Sequence, residues 1–439
     1  MRKAVRIGMA ALSAATVLAG SATAQAATGP DRHSGPTGGH YANVFEEAGY
    51  SHHAVKRKID AAWNQLFHGN PGTAPDYFDG QSIYYQVSPD MGYVTDVANH
   101  DVRTEGIGYA MMIAVQLGKK HEFDSLWNFA KTNMQLQSGP TKYFFAWHTR
   151  TDGSIIDPGI APDGDQWIAA ALTFAAGRWG NGQGKYAYGP EAKQILHAMW
   201  HNADTGGVNM FDSKAYLPTF SPPGVNDWSD ASYALPAFYR VFAKADPDDA
   251  KLWGKAVAAG EKMLQVAHNP TTGLSPCYSN FDGTPHRAFW EFPPSDESYS
   301  ITFQEDAWRV IANANLDASW WGVQPWQTQF SNTLENFFIG QGVNSYVSRY
   351  QLNGTPLVGG QNTYEPKHAE GLVAMNSTSA ITSTNPKRLE FVKDFWNTPV
   401  PSGRARYYDG MLYLLGMLYD SGNFRMYGPV NGVWSHSAK

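Results

Sequence analysis

Six stretches of this sequence are apolar nearly all the way round a helix, and they alternate with six that are apolar along one side only. The first kind comprises IGYAMMIAVQLG from Ile107, WIAAALTFAA from Trp167, ASYALPAFYRVFA from Ala231, DAWRVIANANL from Asp306, AEGLVAMN from Ala369 and MLYLLGMLY from Met411. A helix without a polar face must be buried on every side, whereas a striped helix packs its stripe inward and wets the rest. The striped kind is carried by Val55, Ile59, Trp63 and Leu66; by Phe123, Leu126, Trp127 and Met134; and by Ile195, Leu196, Met199 and Trp200. It continues with Leu252, Ala256, Met263 and Leu264; with Trp326, Phe330, Leu334 and Phe337; and with Leu389, Val392, Phe395 and Trp396. Buried and half-wet helices taking turns along one chain predict two concentric rings, an all-α (α/α)6 barrel of six inner and six outer helices. Ser51 is placed to cap the first striped helix, and Asn385-Pro386 to open the last. Pro236 should kink or shorten the third buried helix.

Residues 1–26 have the layout of an export signal: Arg2, Lys3 and Arg6, then an apolar run, then small residues ending Ala24-Gln25-Ala26. Residues 27–45, rich in Gly, Pro, Ser and His, read as a flexible lead-in, 46–430 as the single barrel domain and 431–439 as a tail. The expected location is therefore the periplasm or the extracellular space. No later window approaches the length of a membrane span, so no membrane insertion is expected after the signal is removed. Cys277 is the single cysteine, which excludes an internal disulfide. A formal charge of −6, with no basic cluster longer than Lys56-Arg57-Lys58, speaks against nucleic acid and anionic lipid as partners. The oligomeric state stays open, with a monomer favoured.

The acids of the buried helices gather at or just before their N-terminal ends, which in a barrel share one face. Glu105 stands at the first, Asp163 and Asp165 at the second, Asp230 before the third and Glu305-Asp306 at the fourth; His368 precedes the fifth, and Arg406, Tyr407, Tyr408 and Asp409 precede the sixth. For any one of these the plain reading is a helix cap, and Asp101 and Ser229 suit that reading. Caps do not explain why acids recur on the most buried helices while the striped ones carry Lys and Arg, so a site is expected at the barrel mouth. Paired carboxylates beside aromatic rings suit glycoside hydrolysis, where one carboxylic acid protonates the leaving oxygen and a second activates water or attacks carbon. Stacking candidates are Tyr84, Tyr85, Tyr143, Trp147, Trp228, Tyr233 and Tyr407, although among 15 Trp, 23 Tyr and 22 Phe an aromatic is more often core than platform. Asp163-Gly164-Asp165 also matches the Asp-x-Asp of a nucleotide-sugar transferase, but an exported all-helical chain lacks both that fold and the donor. The histidines, His52-His53 included, lack a metal-ligand spacing such as HExxH. Neither metal nor cofactor is expected.

Together these segments resemble glycoside hydrolase family 8, from about residue 45 to 430. APDGDQWIAAALTFAAGRW from Ala161 looks like the family signature around A-[ST]-D-[AG]-D, with Pro162 where Ser or Thr is usual. NHDVRTEGIGYAMMIAVQ from Asn99 resembles the segment of the proton donor, FQEDAWR from Phe303 that of the general base, and FWNTPVPSGRARYYDGMLYLLGML from Phe395 the closing segment of xylan-acting members. The resemblance implies an (α/α)6 barrel, inversion of configuration and no metal requirement. It implies Glu105 as general acid, Asp306 as the base that activates water and Asp163 as the carboxylate gripping the distorted sugar. Trp147, Tyr233, Arg309 and Tyr407 then belong to the sugar-binding wall. Glu105 needs a raised pKa, which like-charge repulsion from Asp163 would supply, and Asp306 gains from a helix N-terminus.

Within the family the likeness is to the reducing-end xylose-releasing exo-oligoxylanases, which implies xylo-oligosaccharide or xylan as substrate. In YEPKHAEGL from Tyr364, where those enzymes place a channel-blocking Leu-His-Pro loop, His368 stands between Lys367 and Ala369. His368 is expected to meet the reducing-end hydroxyl. The alternatives are an endo-1,4-β-xylanase, a β-1,4-glucanase, a non-catalytic polysaccharide-binding barrel and a polysaccharide lyase. A dead barrel has no reason to retain both Glu105 and Asp306, and a lyase needs cationic groups that this acidic chain does not advertise.

Overall fold

The computed structural model describes residues 41–74, 76–357 and 368–430, and the backbone of 433–434. Along these residues run α1 (Val44–Glu47), α2 (His52–His68), α3 (Thr104–Leu117), α4 (Lys120–Phe129), α5 (Pro162–Trp179), α6 (Tyr188–His201) and α7 (Pro236–Ala245). They continue with α8 (Ala250–Val266), α9 (Arg309–Trp321), α10 (Pro325–Gln341), α11 (Glu370–Ser377), α12 (Arg388–Asn397) and α13 (Arg406–Asp420). Helices α3, α5, α7, α9, α11 and α13 pack in that order and close on themselves through α13 against α3. Each is backed by one striped helix: α4 on α3, α6 on α5, α8 on α7, α10 on α9, α12 on α11 and α2 on α13. This is the (α/α)6 barrel that the alternation predicted. Among the described residues no helix is long and apolar enough to cross a membrane.

The inner ring is drawn tight where side chains are absent. A Cβ on Gly164 of α5 would stand 2.5 Å from the Cβ of Thr104, so only glycine lets α3 and α5 approach this closely at the mouth. Trp63, Trp127, Trp253 and Trp320 are wholly buried, Trp320 against Phe174 and Phe238 of the inner helices α5 and α7, and truncating any one to alanine costs about 3–5 kcal/mol.

Short antiparallel strands flank the barrel. β1 (Tyr84–Ser88) pairs with β2 (Met91–Val94); β3 (Asp101–Arg103), β4 (His148–Arg150) and β5 (Ile155–Asp157) form one antiparallel sheet; β6 (Ser229–Asp230) pairs with β7 (Tyr278–Ser279), and β8 (Pro429–Val430) with β9 (Val433–Trp434). β3 runs straight into α3, and the Thr104 N–H donates to the Trp147 carbonyl at 3.0 Å, which ties the start of α3 to the rim.

Several local expectations are refined. Ser51 caps α2, its Oγ accepting from the Ala54 N–H at 3.3 Å. The lead-in ends earlier than residue 45: Val44 and Phe45 are buried in α1, and the Phe45 ring packs on Phe395 and Trp396. Pro236 takes the first position of α7 and residues 231–233 form a separate 3-10 turn, so the proline shortens that inner helix. Asn385 makes a turn with the Lys387 N–H at 3.0 Å, and α12 begins only at Arg388. Asp101 and Ser229 lie in β3 and β6 and cap no helix. The signal segment, residues 27–40 of the lead-in, Tyr364 to Lys367 and the tail, apart from the backbone of 433–434, fall outside the described residues.

Candidate active site

Five of the six inner helices begin around one cleft of about 830 Å³. Thr104 and Glu105 come from α3, Asp163 from α5, and Tyr233 from the turn before α7; Glu305, Asp306, Trp308 and Arg309 come from the start of α9, and Tyr407, Tyr408 and Asp409 from α13. No residue of α11 lines the cleft; the Gly371 N–H at its start donates to Asp409 Oδ1 at 2.8 Å. His368 does not line the cleft. Its Nδ1 lies 3.0 Å from the Tyr346 carbonyl and its Nε2 2.8 Å from Asp394 Oδ2, so both nitrogens are engaged by the protein.

Arg309 organises the floor. Its Nη1 donates to Glu105 Oε2 at 3.0 Å, to Asp163 Oδ2 at 2.8 Å and to the Tyr109 hydroxyl at 2.5 Å, while its Nη2 donates to Asp306 Oδ1 at 2.9 Å. Glu105 and Asp306 thus take different nitrogens, with the guanidinium between them. The Tyr299 hydroxyl donates to Asp306 Oδ2 at 2.9 Å, so both oxygens of that carboxyl are held in place.

Three carboxyl groups around one cation cannot all ionise without an uncompensated buried charge. Burial pushes Glu105 up to about 8; the Arg309 cation opposes the shift, and the charges of Asp163 and Asp306 add to it. The cause expected from sequence is therefore secondary: repulsion by Asp163 contributes, but burial contributes more. Asp163 is also raised, again by burial against the pull of Arg309. Near neutral pH the cleft thus holds a proton on Glu105, the property of a general acid.

Asp165 and Asp230 lie behind the wall. Asp165 accepts from the Phe145 N–H at 3.2 Å, and Asp230 caps its 3-10 turn through the Ser232 N–H at 2.6 Å. Burial raises both carboxyls. Asp230 is thus the cap of the plain reading, whereas Asp165 caps no helix and instead ties α5 to the Phe145 backbone.

Of the aromatic candidates, Trp147, Tyr233 and Tyr407 line the cleft. Tyr84 packs on Phe67, the Tyr85 hydroxyl donates to the Pro71 carbonyl at 3.1 Å, Tyr143 stands under Lys142, and Trp228 is stacked behind Phe220. The wall also contains Phe220, Tyr278, Trp290 and Tyr299, which sequence reasoning missed because they come from loops, the two-residue strand β7 and a single 3-10 turn, all too short for periodicity. Arg103 was missed as well. It lies 5.7 Å from the Trp147 ring centroid and pairs with Asp96 and Asp101 at 3.1 Å each. Its signal was a charged Asp-Val-Arg directly before the most apolar helix.

A sequence model of glycosyl hydrolases family 8 matches residues 87–422. The chain is 43% identical over 392 residues to the reducing-end xylose-releasing exo-oligoxylanase Rex8A of Paenibacillus barcinonensis, covering 89% of this chain and 97% of that protein. It is 39% identical to a reducing end xylose-releasing exo-oligoxylanase of Halalkalibacterium halodurans, covering 89% of this chain and 95% of the relative. The solved structure of Rex8A complexed with xylose superposes with a TM-score of 0.81 at 42% identity, over 89% of this chain and 98% of that one.

Proposed function

The chain belongs to glycosyl hydrolases family 8, and on that premise we propose that it cleaves β-1,4-xylosidic bonds of xylo-oligosaccharides with inversion, releasing xylose from the reducing end. The observation that carries the chemistry is Arg309 holding Glu105, Asp163 and Asp306 around one cleft, with the proton kept on Glu105. The relatives named above, which span nearly the same length, support the substrate and the direction of attack.

In this reading Glu105 gives its proton to the glycosidic oxygen as the bond from that oxygen to the anomeric carbon breaks. Asp306, aimed by Arg309 and Tyr299, takes a proton from the water whose oxygen bonds to the opposite face of that carbon. Asp163 grips the hydroxyls of the sugar at the cleavage point, and Trp147, Tyr233 and Tyr407 offer faces on which rings stack. Residues 1–26 support a site of action outside the cytoplasm.

One observation favours a second reading, an endo-1,4-β-xylanase: His368 is bound to Asp394 instead of reaching the cleft. Xylotetraose labelled at its reducing end separates the two, with cellotetraose as the control for a β-1,4-glucanase. Labelled xylose as first product is the expected result. Labelled xylobiose from an internal cut sinks the exo reading and leaves the endo one.

A further inference from the structure

Away from the cleft, the last turn of α6 sets His197 and His201 on one face, opposite Asp249 just before α8. Their ligand atoms all lie within 4.8 Å of one another. His201 Nε2 is 2.8 Å from Asp249 Oδ1, and His197 Nδ1 is 3.4 Å from Asp249 Oδ2. The two imidazoles are nearly parallel, with centroids 4.4 Å apart.

The second nitrogen of His201 sharpens the picture, since Nδ1 lies 2.9 Å from Asp204 Oδ2. A neutral imidazole carries a single N–H. If Asp204 accepts it, the Nε2 lone pair points at an Asp249 oxygen, and two acceptors at that distance repel unless a cation stands between them. A carboxylate on the far nitrogen is also how metal-binding imidazoles are oriented. Asp246, wholly buried beside Asp249, adds a further carboxyl ahead of α8, with the Trp253 indole and Asp249 as its side-chain neighbours. The neighbouring Asp248 is instead occupied by Lys193 at 2.7 Å, leaving Asp249 to the imidazoles.

We propose that His197, His201 and Asp249 form a site for a divalent transition metal, Zn2+ by the chemistry of its ligands, that fastens α6 to the start of α8. Two imidazoles and a carboxylate suit Zn2+, Ni2+ or Cu2+ and do not suit Mg2+ or Ca2+, which take oxygen ligands. None of the three residues lines the catalytic cleft, so the role is structural. His197, with 59% of its side chain exposed, leaves an entry path. The histidine spacing alone did not suggest a metal, because the third ligand comes from 48 residues beyond His201.

The test is calorimetric titration of the purified, untagged and EDTA-stripped chain with ZnCl2, with MgCl2 as control and thermal unfolding alongside. One Zn2+ per chain is expected, with no comparable response to Mg2+. At about a hundredfold excess of free ion over Kd, Tm should rise by about 3 °C. His197→Ala, at an exposed position, should abolish the stoichiometric binding without unfolding the chain, and Asp204→Asn should weaken it by about 10- to 100-fold. Undiminished affinity in His197→Ala overturns the site. So does the absence of binding to the parent chain, which would assign the cation between His201 and Asp249 to a proton.

Discussion

Arg309 donates to Glu105 across 3.0 Å, yet Glu105 is raised to about 8, because burial of the carboxyl outweighs the cation beside it. An ion pair is usually expected to keep a carboxyl ionised. Here Arg309 is shared with Asp163 and Asp306, so its charge is divided and one proton stays in the cleft.

This sets the pH profile. As the proposed general acid Glu105 must be protonated to act, so kcat/KM should be lost as pH rises through about 8 and the proton leaves. Asp163→Asn removes a neighbouring negative charge, which should lower the pKa of Glu105 and move the alkaline limb to lower pH. Turnover should also fall through the lost grip on the sugar. An alkaline limb that does not move would show that the two carboxyls are not coupled.

Glu105→Gln and Asp306→Asn should each reduce turnover of xylo-oligosaccharides by about 10²- to 10⁴-fold or more, since each removes a group proposed to transfer a proton. Circular dichroism should be unchanged, because both substitutions preserve shape and neither adds a buried charge. A variant with near-normal turnover would release that residue from its role.

Arg309→Met should cost stability, because it leaves three carboxyls without their shared cation. The loss expected for breaking a buried pair is about 3–5 kcal/mol, read by urea unfolding near pH 7. The deficit should shrink at low pH, where the acids are protonated in both variants. Arg309→Lys should recover part of the stability and little of the activity, since one ammonium cannot span positions held by two guanidinium nitrogens.

Inversion requires the acid and the base about 6.5 to 9.5 Å apart, leaving room for water; Glu105 and Asp306 are held by different nitrogens of Arg309. Proton NMR of fresh hydrolysate should show the α-anomer appearing first from the β-linked substrate. Early β-anomer would mean a retaining mechanism and a different role for Asp306.

The barrel was legible in the sequence because its signal is local. Whether a helix is apolar all round or along one stripe is written within a dozen residues, and the alternation of the two kinds leaves few architectures. The placing of Glu105, Asp163 and Asp306 was legible for the same reason: each stands at the start of an inner helix, and those starts face one mouth. Tertiary structure alone decided what these groups do to one another. Glu105 and Arg309 are 204 residues apart, and Arg309 and Asp163 are 146 apart, so their sharing of one guanidinium exists only once the ring closes. Trp290 in the wall, His368 on Asp394 and Asp249 opposite His201 are contacts of the same long-range kind. Periodicity assigns a residue to a face, but distance and burial set its charge, and both belong to the closed barrel.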